Sequence, residues 1–158
     1  MMTDEKKKEY TLRISQANRT GLTVIIYEML FDYMDEIAQQ YEAKNHAGFR
    51  DAIRKASGCV RELLNSLDYG YELSRGLSSI YLYVSKTLAL MEVKNHPENL
   101  EEIRKIMEKL CESFQKVSEQ DNSAPLMQNT QAVYTGLTYG PNTLNNNMVL
   151  QPARGVSV

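Results

Sequence analysis

LTVIIYEMLFDYMDEIAQQY, residues 22–41, decides the fold. Leu22, Ile25, Ile26, Met29, Tyr33, Ile37 and Tyr41 recur at spacings of three and four, which puts them on one face of an α-helix. Leu30 and Met34 widen that face. Asn18 has the side chain of an N-cap, and Asn45, His46 and Gly48 mark an end, so the pattern predicts a helix over 20–44. Working outward, Phe49, Ile53, Ala56, Val60, Leu63, Leu64 and Leu67 predict a second helix over 47–67, broken at Asp68, Tyr69 and Gly70. Leu73, Leu77, Ile80, Tyr81, Val84, Leu88 and Met91 predict a third over 71–93. Pro97, tolerated in a first turn, opens a fourth over 98–119 with Leu100, Ile103, Ile106, Met107, Leu110, Phe114 and Val117 as its stripe. Gly58 and Gly76 sit inside these helices, where glycine costs about 1 kcal/mol against alanine, and are expected at close helix–helix contacts.

Helices of about 20 to 25 residues are about 30 to 37 Å long. Matching lengths and short connections predict an all-α, antiparallel up-down-up-down four-helix bundle over 18–121. Residues 1–17 precede it as a flap segment in which Tyr10, Leu12 and Ile14 alternate; an extended strand or a short helix would both fit. From Asn122 onward only Arg154 is charged, and the composition turns to Asn, Thr, Gly and Pro, so 122–158 is expected to be a flexible tail. Within it, Val133, Tyr134, Leu137 and Tyr139 form the one dense apolar cluster, a candidate for docking back onto the bundle.

Composition narrows the function. A net charge of -2 and a pI near 5.7 argue against nucleic acid as a partner. No apolar run is long enough to span a membrane, and the charged start MMTDEKKKEY is not a secretory signal, so a soluble cytosolic protein is expected. Cys59 and Cys111 lie inside helical apolar patterns and read as reduced core thiols. GxGxxG, GxxxxGK[ST], HExxH, CxxC and the Glu-x-x-His of di-iron bundles are all absent. Glu101, Glu102, Glu108 and Glu112 read as a solvated face with i, i+4 pairs, and His46 and His96 as helix-start residues. No metal, no cofactor and no enzyme activity are expected.

The apolar content points to a polypeptide partner instead. The ten tyrosines outnumber three phenylalanines and no tryptophan, and tyrosine suits surfaces that are alternately wet and covered. The helix over 20–44 is apolar almost all round, and Ile80, Tyr81, Leu82, Tyr83 and Val84 form a continuous run. One small core cannot take all of this, and the surplus is expected to form an exposed apolar groove.

Two stretches also resemble a known family. Ala17-Asn18-Arg19 followed by Leu22-Thr23-Val24-Ile25-Ile26-Tyr27-Glu28 is similar to the helix-one signature of the flagellin export chaperone FliS, which reads Ala-Ser-Pro, two residues, Leu, and an apolar run ending in Leu-Tyr-Asp/Asn-Gly. Glu62-Leu63-Leu64-Asn65-Ser66-Leu67-Asp68, Glu72-Leu73 and Leu77-Ser78-Ser79-Ile80-Tyr81-Leu82-Tyr83-Val84 through Leu88 resemble the family's Glu-Leu…Ser-Leu-Asp…Leu-x-x-Leu-Tyr-x-Tyr-Met…Leu progression. With Tyr10 near the start and Phe114 near a usual tryptophan, the likeness covers about residues 10 to 118. Arg19 replaces the usual proline, Met29 and Leu30 stand where small residues are common, and Thr87 replaces a frequent arginine.

The resemblance implies an export chaperone in the bacterial cytosol that binds the disordered C-terminal segment of flagellin, blocks premature polymerisation and delivers the subunit to the flagellar export gate. The client groove is then expected on the apolar surplus, at Tyr27, Leu30, Tyr81, Tyr83 and Leu88. Tyr10, Leu12 and Ile14 are expected to form a movable flap that contacts the export gate once released. A four-helix adaptor or regulator that self-associates, as a homodimer for example, is the alternative reading.

Overall fold

The computed structural model describes residues 2–70 and 72–127. These residues form five helices and no strand: α1 (Asp4–Gln16), α2 (Arg19–Glu42), α3 (His46–Asn65), α4 (Glu72–Lys94) and α5 (Leu100–Gln120). Of the two forms open to the flap segment, the structure has the helix, so the described residues form five helices, α1 lying beside the four expected of the bundle. Thr3 starts α1, its hydroxyl accepting from the Lys6 amide, and Asp4 and Glu5 add favourable negative charge in the first turn. Most side chains of α1 are exposed, and only Tyr10 and Ser15 are buried.

Helix ends follow local chemistry. Asn18 caps α2 by accepting from the Gly21 amide at 2.9 Å, and Asn45 caps α3 by accepting from Gly48 at 3.0 Å. Lys44, Asn95 and Asn99 adopt the left-handed backbone at helix junctions, with φ of 58°, 54° and 66°. Asn99 therefore ends the turn that begins at Pro97, and α5 starts at Leu100, two residues later than the proline alone predicts. His46 and His96 are both exposed at such junctions.

Consecutive helices run antiparallel. Arg19 reaches the Ser66 carbonyl across the α2–α3 pair, Arg54 reaches Glu92 across α3–α4, and Thr20 bonds Asp121 across α2–α5. Contact is most extensive between α2 and α3, substantial for α2–α5 and α3–α4, and sparse along the α4–α5 seam and between α1 and α2. The core between α2 and α5 holds Tyr27, Leu30, Met34, Ile37, Phe49, Ile53, Val60, Leu63, Tyr81, Val84, Leu88, Met91, Ile103 and Met107. Cys59 and Cys111 are free, buried thiols. Burial pushes Cys59 up to about 12, with Glu62 adding to it, and Cys111 up to about 11.

Two expectations need correcting. A Cβ added at Gly58 or Gly76 would meet no atom within 4 Å, so neither glycine marks a close helix contact. The face of α2 that enters the core is also rotated from the predicted one. Val24, Tyr27, Leu30, Met34 and Ile37 are buried in it, whereas Leu22, Ile26, Met29 and Tyr33 are half-buried beside it. Both sets have helical periodicity, and periodicity alone does not rank them.

Candidate functional site

The expected groove residues divide sharply. Tyr27, Leu30, Tyr81 and Leu88 have essentially no exposed surface and belong to the core. Tyr27 and Tyr81 meet hydroxyl to hydroxyl at 2.6 Å across the bundle, which satisfies two buried polar groups at once. Burial raises both phenol pKa values, so the pair stays neutral. Tyr83 alone lies at the surface, where its hydroxyl donates to Glu102 on α5. That hydrogen bond is the main reason its pKa is raised.

The flap residues are equally distinct. Tyr10 is buried against α2 and donates to the Asp32 carboxylate at 2.5 Å. Burial first and this hydrogen bond second raise its pKa. Arg13 engages Glu28 through two hydrogen bonds, at 2.7 and 3.0 Å, and Lys6 bonds Asp32 at 3.2 Å. Leu12 faces solvent, and Ile14 borders a groove. Val133, Tyr134, Leu137 and Tyr139 lie outside the described residues.

That groove runs between α2 and α3 and is closed at one end by the last turn of α1. It encloses about 430 Å³ and is lined by Ile14, Leu22, Ile26, Met29, Tyr33, Gly58 and Cys59, with Lys55 and Glu62 on its rim. Its floor is the second apolar face of α2 together with the bare backbone at Gly58. A second depression, of about 260 Å³, lies between α4, at Tyr83, Thr87, Leu90 and Met91, and the turn before α5, at Glu98 and Asn99. Beside it the outward face of α4 carries Leu82, Leu90 and Val93, 57%, 44% and 81% exposed. Helical geometry sets these residues with Tyr83 along one side of α4.

The arrangement is lined mainly by apolar side chains. Among the described residues no three His, Cys, Asp or Glu side chains converge as metal ligands, and no helix is long and apolar enough to cross a membrane. What it offers is apolar area with a polar rim, the composition of a peptide-docking surface. The sequence put Leu22, Ile26, Met29 and Tyr33 on one helix face but did not single them out as groove residues. The available signal was the second apolar set on α2, together with a glycine in the facing stretch of α3.

Comparison with known proteins adds one positive finding. The model of a family described as Flagellar protein FliS matches residues 2–121, which takes in all five helices and stops where the charge-poor composition begins. No curated protein matches the chain.

Proposed function

The chain belongs to the FliS family, and from that premise we propose that it is a cytosolic export chaperone for flagellin. It binds the disordered C-terminal segment of its client, keeps that segment from polymerising, and hands it to the flagellar export apparatus. The observation that carries this reading is the exposed apolar side of α4, Leu82, Tyr83, Leu90 and Val93, on a member of this family. A flagellin end that orders only on assembly has apolar faces to protect, and such a strip covers them without any covalent step.

The client contacts assigned here are narrower than the sequence implied. Tyr83 and its neighbours on α4 touch the client. Tyr27, Leu30, Tyr81 and Leu88 support that surface from behind and hold the helices in register. α1 acts as the movable element: its sparse, largely ionic attachment to α2 lets the helix that carries Tyr10, Leu12 and Ile14 come away from α2 and engage the export gate.

The test is calorimetric titration of the full chain with a synthetic flagellin C-terminal segment. Leu90→Asp and Val93→Asp should each weaken binding at least tenfold while the helical melt stays intact, since losing one anchor often costs about 2 kcal/mol. A parent chain that shows no heat of binding to the segment would sink the chaperone reading. The same apolar strip could instead bury itself against a second copy, as an adaptor would. Light scattering with and without the segment separates the two, because a chaperone gives a one-to-one complex and an adaptor a client-insensitive dimer.

A further inference from the structure

The α1–α2–α3 groove is an apolar slot with nothing in it among the described residues, and the chain supplies its own candidate to fill it. The described part ends close to its mouth. The Leu126 amide donates to the Ala17 carbonyl at 3.0 Å, and the Asn18 side chain donates to the carbonyls of Asp121 and Ser123. Ala17 follows the last turn of α1, one turn from Ile14, and Leu22 lies in the first turns of α2. Residue 127 therefore leaves the body beside the two residues that begin the groove.

Reach and chemistry agree. The six steps from residue 127 to residue 133 extend up to about 20 Å, ample to turn into the groove. The floor from Leu22 to Tyr33 spans eleven helical rises, about 16.5 Å. Residues 133–139 in extended form cover about 20 Å, so the two lengths correspond. In that form side chains alternate, which sets Val133, Thr135, Leu137 and Tyr139 on one side and Tyr134, Gly136 and Thr138 on the other. One side is thus apolar and the other mostly small. From residue 122 to the end only Arg154 is charged, so a neutral ribbon would meet a neutral floor. Gly58 leaves room for a bulky side chain there, because a Cβ at that position meets nothing.

We infer that residues 133–139 of the chain dock in the groove formed by Ile14, Leu22, Ile26, Met29, Tyr33 and Gly58, as a tethered ligand of the protein's own body. Tethering supplies an effective concentration on the order of millimolar for a short linker, so even a weak ribbon stays seated. A client or partner that uses the groove must displace it. This inference does not rest on the chaperone reading, and its test contains no flagellin.

The experiment is methyl NMR of the full 158-residue chain labelled at the methionine methyl carbons. Met29 lines the groove, whereas Met34 and Met107 are sealed in the core and report on folding. Docking predicts nuclear Overhauser contacts from the Met29 methyl to the Tyr139 ring. It also predicts a ring-current shift at Met29 that is lost in Tyr139→Ala and in Leu137→Asp, with Met34 and Met107 unmoved. Identical Met29 resonances in the parent and both variants would overturn the inference. So would contacts that appear only between labelled and unlabelled chains in a mixed sample, which would assign the groove to a second copy.

Discussion

At the centre of the bundle the hydroxyls of Tyr27 and Tyr81 are each other's partners, and this makes their removal non-additive. Tyr27→Phe or Tyr81→Phe alone strands a buried hydroxyl and should cost about 1–3 kcal/mol. The double Phe variant should cost less than the sum of the two, as urea melts followed by circular dichroism would show. Gly58 gives the opposite sign. Its Cβ position is open among the described residues, so with the groove unfilled Gly58→Ala should raise stability by about 0.5–1 kcal/mol in the same assay, whereas a docked 133–139 segment takes that space and should cancel or reverse the gain. Cys59 and Cys111, buried and titrating near 12 and 11, should stay unmodified by a thiol reagent at neutral pH until the protein is unfolded. At this scale the sequence was legible where the backbone dictates the partner, as at Asn18. It was not legible where two apolar faces compete on one helix. Leu22, Ile26, Met29 and Tyr33 are as periodic as Tyr27, Leu30, Met34 and Ile37, and only the positions of α3 and α5 decide which set faces inward.

Among the elements, α1 differs from the rest in how it is held. Tyr10 is the sole large apolar side chain it buries, and its ion pairs to Asp32 and Glu28 involve side chains 25–46% exposed. Exposed pairs contribute about 0–1 kcal/mol each and weaken with salt. Hydrogen exchange should therefore find α1 opening well below the free energy of α3, and opening more readily at about 1 M salt, where the Debye length falls to about 3 Å. Equal protection of α1 and α3 would remove its role as a movable element. Deleting residues 1–14 should raise affinity for the flagellin segment if α1 competes for the surface, and lower it if α1 is part of the site. The other four helices were legible to within one or two residues from stripes and caps. That residues 1–17 contain a helix was not, because α1 has too few apolar residues to show a period, and its capping Thr3 and acidic first turn are its main local signals.

Taken whole, the molecule closes on itself at one corner. The start of α2 and the exit of α5 are stitched by the Leu126–Ala17, Asn18–Asp121, Asn18–Ser123 and Thr20–Asp121 hydrogen bonds. Asp121 accepts from Ser123 and Thr20, which holds its carboxyl below the usual range. Its folded pKa is depressed, so this contribution is complete above the ordinary carboxylate pKa and is lost as the pH falls through the lowered value. The same corner has a mechanical consequence. Tension applied to the chain beyond residue 127 reaches the first turn of α2 through these bonds before it can peel the last turn of α5. A machine that grips the C-terminal end thus pulls on the anchor of the bundle's central helix, not on a free helix end. In an optical-tweezers experiment with the handle at Val158, Thr20→Val should let α5 yield at lower force than the parent does, and equal forces would mean that the stitch bears no load.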